Sequence, residues 1–104
     1  LQEGNASAEQ DMRARALRQA QVEADRMAAA TRSALAADGA LLQPEERAAI
    51  EALLQAQARI RLLDDAAALD DATEALAQGC EEFAARRMNR SIATALAGQN
   101  IDQF

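Results

Sequence analysis

Residues 7–39 read SAEQDMRARALRQAQVEADRMAAATRSALAADG, and the spacing within this stretch decides the fold. Leu17, Ala20, Ala24, Met27, Thr31 and Ala34 recur at alternating intervals of three and four, which places them on one side of an α-helix. Ser7 and Gln10 have the spacing of a capping box, and Asp38-Gly39 supplies a stop, with Gly39 suited to the left-handed residue that ends many helices. The stretch therefore predicts a helix over residues 7–37, about 31 residues and roughly 46 Å long. Its N-terminal half carries few large apolar side chains, so that half is expected to project beyond whatever the rest packs against.

Downstream the pattern repeats twice. Gln43-Pro44-Glu45-Glu46 opens a second helix, expected over 44–62: proline suits the first helical position, and the two glutamates complement the positive end of the dipole. Ile50, Leu53, Leu54 and Ile60 give it a buried face. Asp64-Asp65 makes a turn, with Asp65 placed to cap a third helix over 66–97. Leu69, Thr73, Leu76, Cys80, Phe83, Arg87 and Ser91 trace one line along it, with Ala72, Ala84, Met88, Ile92 and Ala95 beside them. Phe83, Met88, Ile92 and Leu96 are expected to face a thin core. Gly79 weakens this helix by about 1 kcal/mol relative to alanine and predicts a slight bend. Gly98 is expected to end it, leaving 99–104 as a polar tail. Short loops make successive helices antiparallel. The fold class is all-α: a long N-terminal helix running into a small antiparallel three-helix bundle.

Composition agrees. Of the 104 residues, 52 are apolar, but 29 of those are alanine, and tryptophan and tyrosine are absent. Alanine favours helix and buries little surface, so thin, closely packed helices follow and a β-sandwich does not. The net charge is −6 and all eleven basic residues are arginine. That acidic balance, without aromatic stacking platforms, argues against nucleic acid. No apolar run approaches eighteen residues, so no membrane span is expected. The chain starts at Leu1 without a secretory signal or an initiator methionine, as expected of a segment of a longer protein. A single cysteine excludes an internal disulfide and is compatible with a cytoplasmic setting.

Four features carry candidate chemistry. Asp11, Arg18 and Asp25 stand at heptad spacing on a face nearly opposite the apolar stripe. The residues alone read as a solvated face, with Glu9–Arg13 and Asp11–Arg15 as helix-stabilising pairs. Arg86, Arg87 and Arg90 form a basic cluster; Glu82 lies one turn before Arg86, and Arg87 sits on the apolar line, from which it is expected to reach a carboxylate across a helix interface. Packing and ion pairs thus explain the cluster better than a phosphate site. Cys80 lies between Leu76 and Phe83 and reads as a buried small hydrophobe; with no histidine in the chain, it cannot build a zinc or cluster site alone. Adjacent carboxylates such as Asp70-Asp71 and Glu81-Glu82 point about 100° apart on a helix and do not converge on a ligand. No nucleophile–base set or phosphate loop is present, so catalysis by this chain alone is not expected, nor is a cofactor of its own.

Three collinear blocks carry a resemblance: SAEQDMRARALRQAQVEADRM at 7–27, ALAADGALLQPEERAAIEALL at 34–54, and EEFAARRMNRSIATALAG at 81–98. Together they cover most of the chain, and they resemble the C-terminal helical lid subdomain of the HscA-type chaperones, the branch of the seventy-kilodalton heat-shock family devoted to iron–sulfur cluster assembly. The resemblance implies a lid over an upstream β-sandwich peptide-binding subdomain. It implies an intact protein that hydrolyses ATP and works with an IscU-like scaffold and an HscB-like co-chaperone. It also implies that Asp11 and Asp25, with Arg18 on the same line, face the sandwich and help hold the lid shut. A general-chaperone lid fits less well, because of the FAARRM segment and the short tail. The alternative from a different class is a free-standing helical interaction or self-association module, pairing with its copy along the first helix.

Overall fold

The computed structural model describes the backbone of residues 2–102 and the side chains of residues 7–98. Four helices follow one another: α1 (Gln2–Asp38), α2 (Pro44–Arg61), α3 (Ala66–Gly79) and α4 (Glu81–Asp102), with a short 3-10 turn at Gly39–Leu41 after α1. The described residues contain no strand. The molecule is elongated, 76 × 31 × 17 Å, because helices rich in alanine pack side by side without building thickness.

The first helix starts earlier than its sequence predicts. It already runs at Ser7, so the Ser7–Gln10 box caps nothing, and Gly4 and Asn5 are helical. Extending an existing helix costs far less than starting one, and a single glycine opposes it by only about 1 kcal/mol. Its end differs too. Gly39 does not adopt a positive φ; the chain tightens into the 3-10 turn, closed by the Leu42 N–H donating to the Gly39 carbonyl at 3.1 Å. This path tucks Leu41 and Leu42 against the core, burial that a left-handed exit at Gly39 would have to match.

Pro44 stands at the start of α2 as expected, and a capping box forms between Gln43 and Glu46, with the Gln43 N–H donating to Glu46 Oε1 at 2.8 Å. After Arg61 the left-handed residue is Asp64, at φ 55°, a conformation aspartate tolerates better than most residues. Asp65 caps α3, its carboxylate accepting from the Ala68 N–H at 3.0 Å.

The helix expected over 66–97 is two helices. Cys80 (φ −98°, ψ −1°) interrupts it, although its N–H still donates to the Leu76 carbonyl at 3.1 Å and its carbonyl accepts from Ala84 at 2.9 Å. The result is a kink with most of the ladder intact. Gly79 permits close packing there, since a Cβ at that position would collide with Leu53 Cδ1. Beyond the kink, α4 continues through Gly98 to Asp102 instead of ending at Gly98, so the tail expected at 99–104 begins as helix; Gln103 and Phe104 lie outside the described residues.

The core lies between α1, α2 and α3 in two adjoining clusters. Ala20, Ala24 and Leu69 form one; Ala28, Ala34, Leu35, Ile50, Leu54, Leu76, Cys80 and Phe83 form the other. The stripe read on α1 is the buried one, with Ala20, Ala24, Thr31 and Ala34 all inside. One buried polar link crosses it: Gln57 Nε2 donates to Thr73 Oγ1 at 2.9 Å. Burial stops abruptly on α4. Phe83 is buried, but Met88, Ile92 and Leu96 are 66%, 51% and 55% exposed, so the core these three were expected to face is not there. The facing chain has run out, because α1 ends at Asp38 and α2 begins at Pro44.

Candidate functional site

The outer face of α1 holds Asp11, Arg18 and Asp25, and all three side chains are exposed. The structure treats them differently. Asp25 lies beside the end of α2, where Arg61 grips it with two parallel hydrogen bonds, Nε to Oδ1 at 2.8 Å and Nη2 to Oδ2 at 2.9 Å. This fork-to-fork geometry is the strong form of an arginine–carboxylate pair, and it pushes the Arg61 pKa up. The pair ties the middle of α1 to α2. Asp11 and Arg18, further out on the arm, have no ion-pair partner among the described residues. The pairs expected between Glu9 and Arg13 and between Asp11 and Arg15 are not formed; each would contribute only a few tenths of a kcal/mol.

At the other end of the bundle the arginines of α4 clamp the chain reversal. Arg86 holds both oxygens of Glu46 at 2.8 Å, reaches Glu82 at 2.9 Å and donates to the Leu41 carbonyl at 3.1 Å. Hydrogen bonds from the Arg86 side chain, then from the Gln43 backbone, lower the Glu46 pKa to about 2; the carboxylates in turn raise that of Arg86. Arg87 donates to Asp38 Oδ2 at 2.8 Å, with its guanidinium 5.9 Å from the Phe83 ring centre. Arg90 reaches the other Asp38 oxygen at 3.2 Å. All three basic side chains are therefore engaged by carboxylates, as the sequence suggested for Arg86 and Arg87, and no anion site remains among them.

Cys80 is buried, with its sulfur 4.0 Å from Thr31 Oγ1. Burial raises the thiol pKa, and the Thr31 contact opposes this only in part, so the sulfur stays a protonated, unreactive packing group near neutral pH. Among the described residues no group of three or more His, Cys, Asp or Glu could hold a metal ion. Likewise no described helix is long and apolar enough to cross a membrane.

Sequence reasoning missed Asp38 as a shared anchor. A signal was present, since a carboxylate in the last turn of α1 opposes the helix dipole and calls for a cation from elsewhere. The Glu46–Arg86 link had no comparable mark, because glutamate near a helix start already has a local reason to be there.

No family model matches the chain. Its relatives are nonetheless close and numerous. It is 60% identical over all 104 of its residues to the chaperone protein HscA homolog of Paracidovorax citrulli. It is 59% identical over 101 residues to that of Verminephrobacter eiseniae, and 57% over 104 residues to that of Burkholderia thailandensis. The chain spans only 17%, 16% and 17% of these curated relatives' lengths. The helical bundle is thus similar from end to end to part of proteins named as chaperones. The family is that of the HscA chaperones, and the chain belongs to it as a match to the C-terminal portion of its members.

Proposed function

We propose that this chain is the helical lid of an HscA-type chaperone, with α1 lying across the peptide-binding cleft of an upstream β-sandwich subdomain and α2, α3 and the start of α4 forming its anchor. The observation that carries this reading is the asymmetry of α1. From Ala20 to Leu35 its inner side is buried, whereas every side chain from Ser7 to Ala16 is exposed. An arm held at one end can cover a surface that belongs to another part of the protein. The Asp25–Arg61 pair sits where the arm leaves the anchor and fixes its direction. In the same reading Asp11 and Arg18, both without partners in the described chain, face the sandwich, while Asp25 acts through Arg61 as much as through any contact outside.

The intact protein, on this proposal, is a cytoplasmic ATP-hydrolysing chaperone of iron–sulfur cluster assembly that binds an IscU-like scaffold with the help of an HscB-like co-chaperone. The lid itself recognises no sequence. It lowers the dissociation rate of a bound peptide by blocking its exit. The test compares the intact chaperone with a form truncated before this segment, using a fluorescent scaffold peptide and following its release by anisotropy. Truncation should speed release severalfold with a smaller change in association rate. Equal release rates would overturn the assignment.

A further inference from the structure

Beyond Phe83, arginines rather than apolar packing hold α4 to the rest of the molecule. Phe83 is 3% exposed, but from Ala84 to Gly98 no side chain is buried, and the half-buried ones are Arg86 and Arg87. Among the described residues, every side-chain hydrogen bond from this stretch to another helix or turn comes from an arginine. Arg86 donates to Glu46 and the Leu41 carbonyl, Arg87 and Arg90 to Asp38. The two carboxylates stand on either side of the first chain reversal, Asp38 at the end of α1 and Glu46 in the first turn of α2. The break between α3 and α4 lies just before this stretch, at Cys80.

We propose that α4 is a clamped lever, which pivots at Gly79–Cys80 and takes its direction from Asp38 and Glu46 through the three arginines they hold. The pivot has a local basis. The Cys80 N–H is shared between the Leu76 and Ala77 carbonyls at 3.1 and 3.2 Å, the three-centre pattern of a helix end. Gly79 beside it has no side chain to restrict the backbone. The clamp has the reach a lever needs, because Arg86 to Arg90 stand about 9–15 Å beyond Cys80 along the axis. It grips at two points on different helices, so it restrains α4 in more than one direction. It can also let go: the Arg87 and Arg90 side chains are 40% and 55% exposed, and pairs so open to solvent are weakened by salt. Leu96 stands about 24 Å from Cys80 along the helix. A swing of about 20°, the size of a sharp kink, therefore moves it by about 8 Å. The lever rests on contacts within this chain and is independent of the lid reading.

Double electron–electron resonance between nitroxides at Ala52→Cys on α2 and Leu96→Cys on α4 reads the direction of the lever. Both sites are exposed, and the buried Cys80 thiol stays in place because replacing it would alter the pivot. With the clamp intact the distance distribution should be single and narrow. Asp38→Asn combined with Glu46→Gln should at least double its width, with an unchanged far-ultraviolet circular dichroism spectrum. Arg61→Gln breaks a bidentate pair of similar length elsewhere and should leave the distribution narrow. Should the double variant lose helix, salt decides instead. Raising it from about 0.1 to 1 M shortens the Debye length from about 10 to 3 Å and should broaden the distribution reversibly with the clamp residues unaltered. A broad distribution with the clamp intact, a narrow one in the folded double variant, or equal broadening by Arg61→Gln would each overturn the proposal, as would indifference to salt where the double variant unfolds.

Discussion

The inner stretch of α1, Ala20 to Leu35, and the outer stretch of α4, Met88 to Leu96, make an instructive pair. Both are helical, and both carry an apolar line at helical spacing. By side-chain size the α4 stretch is the more hydrophobic, with methionine, isoleucine and leucine where the α1 line is mostly alanine. Yet Ala20 and Ala24 are 2% and 1% exposed, while Ile92 is 51% exposed. Burial here is decided by whether another helix lies opposite. Periodicity defines a face; it does not supply the partner.

Substitutions can break or sharpen that contrast. The largest effect belongs to Leu76, which is 0% exposed and touches the main cluster. Leu76→Ala should cost about 2–5 kcal/mol in denaturant unfolding, the usual range for a buried leucine. Next is Thr73→Val, which keeps the shape but leaves the buried Gln57 amide without its acceptor, at a cost of about 1–3 kcal/mol. Adding Gln57→Leu should recover much of that loss, since removing both polar partners is far milder than removing one.

Acid tests the clamp that ties the start of α2 to α4, just before the stretch that stands free. Glu46 has its carboxyl lowered from 4.5 to about 2 by Arg86, so its contribution is fully present above the unfolded value and is lost as pH falls from about 4.5 to about 2. The melting temperature should drop across that window, and Glu46→Gln should flatten the drop while lowering stability at neutral pH. A wild-type melting profile that Glu46→Gln leaves unchanged would remove Glu46 from the clamp. The smallest effect is Ile92→Ala, which in dilute solution should lie within about ±0.5 kcal/mol, as for an ordinary surface site. A loss as large as that of Leu76→Ala would mean that α4 folds back onto the bundle and that the contrast does not hold.

Much of the fold was legible. The α1 stripe, the Pro44 start, the Asp65 cap and the buried Cys80 each follow from a local rule that the tertiary structure leaves in force. The exit at Gly39 was misread because the burial of Leu41 and Leu42 outweighs the preference for a left-handed glycine. The break at Cys80 was legible as a bend at Gly79, but no local signal showed that Leu53 packs where a side chain at Gly79 would stand. Heptad spacing put Asp11, Arg18 and Asp25 on one line of α1, and all three side chains are exposed. It could not show that Arg61, 36 residues further on, holds Asp25.

The sequence alone determined that this chain is helical, where its first two turns fall, which side of each helix is apolar and, through three collinear blocks, the family it resembles. Those properties depend on neighbours within a turn or two. The tertiary structure decided which apolar sides are covered, which carboxylate each arginine takes, and which ends of the molecule stand free. Those depend on where the facing helices stop, and no local spacing records the length of a neighbour.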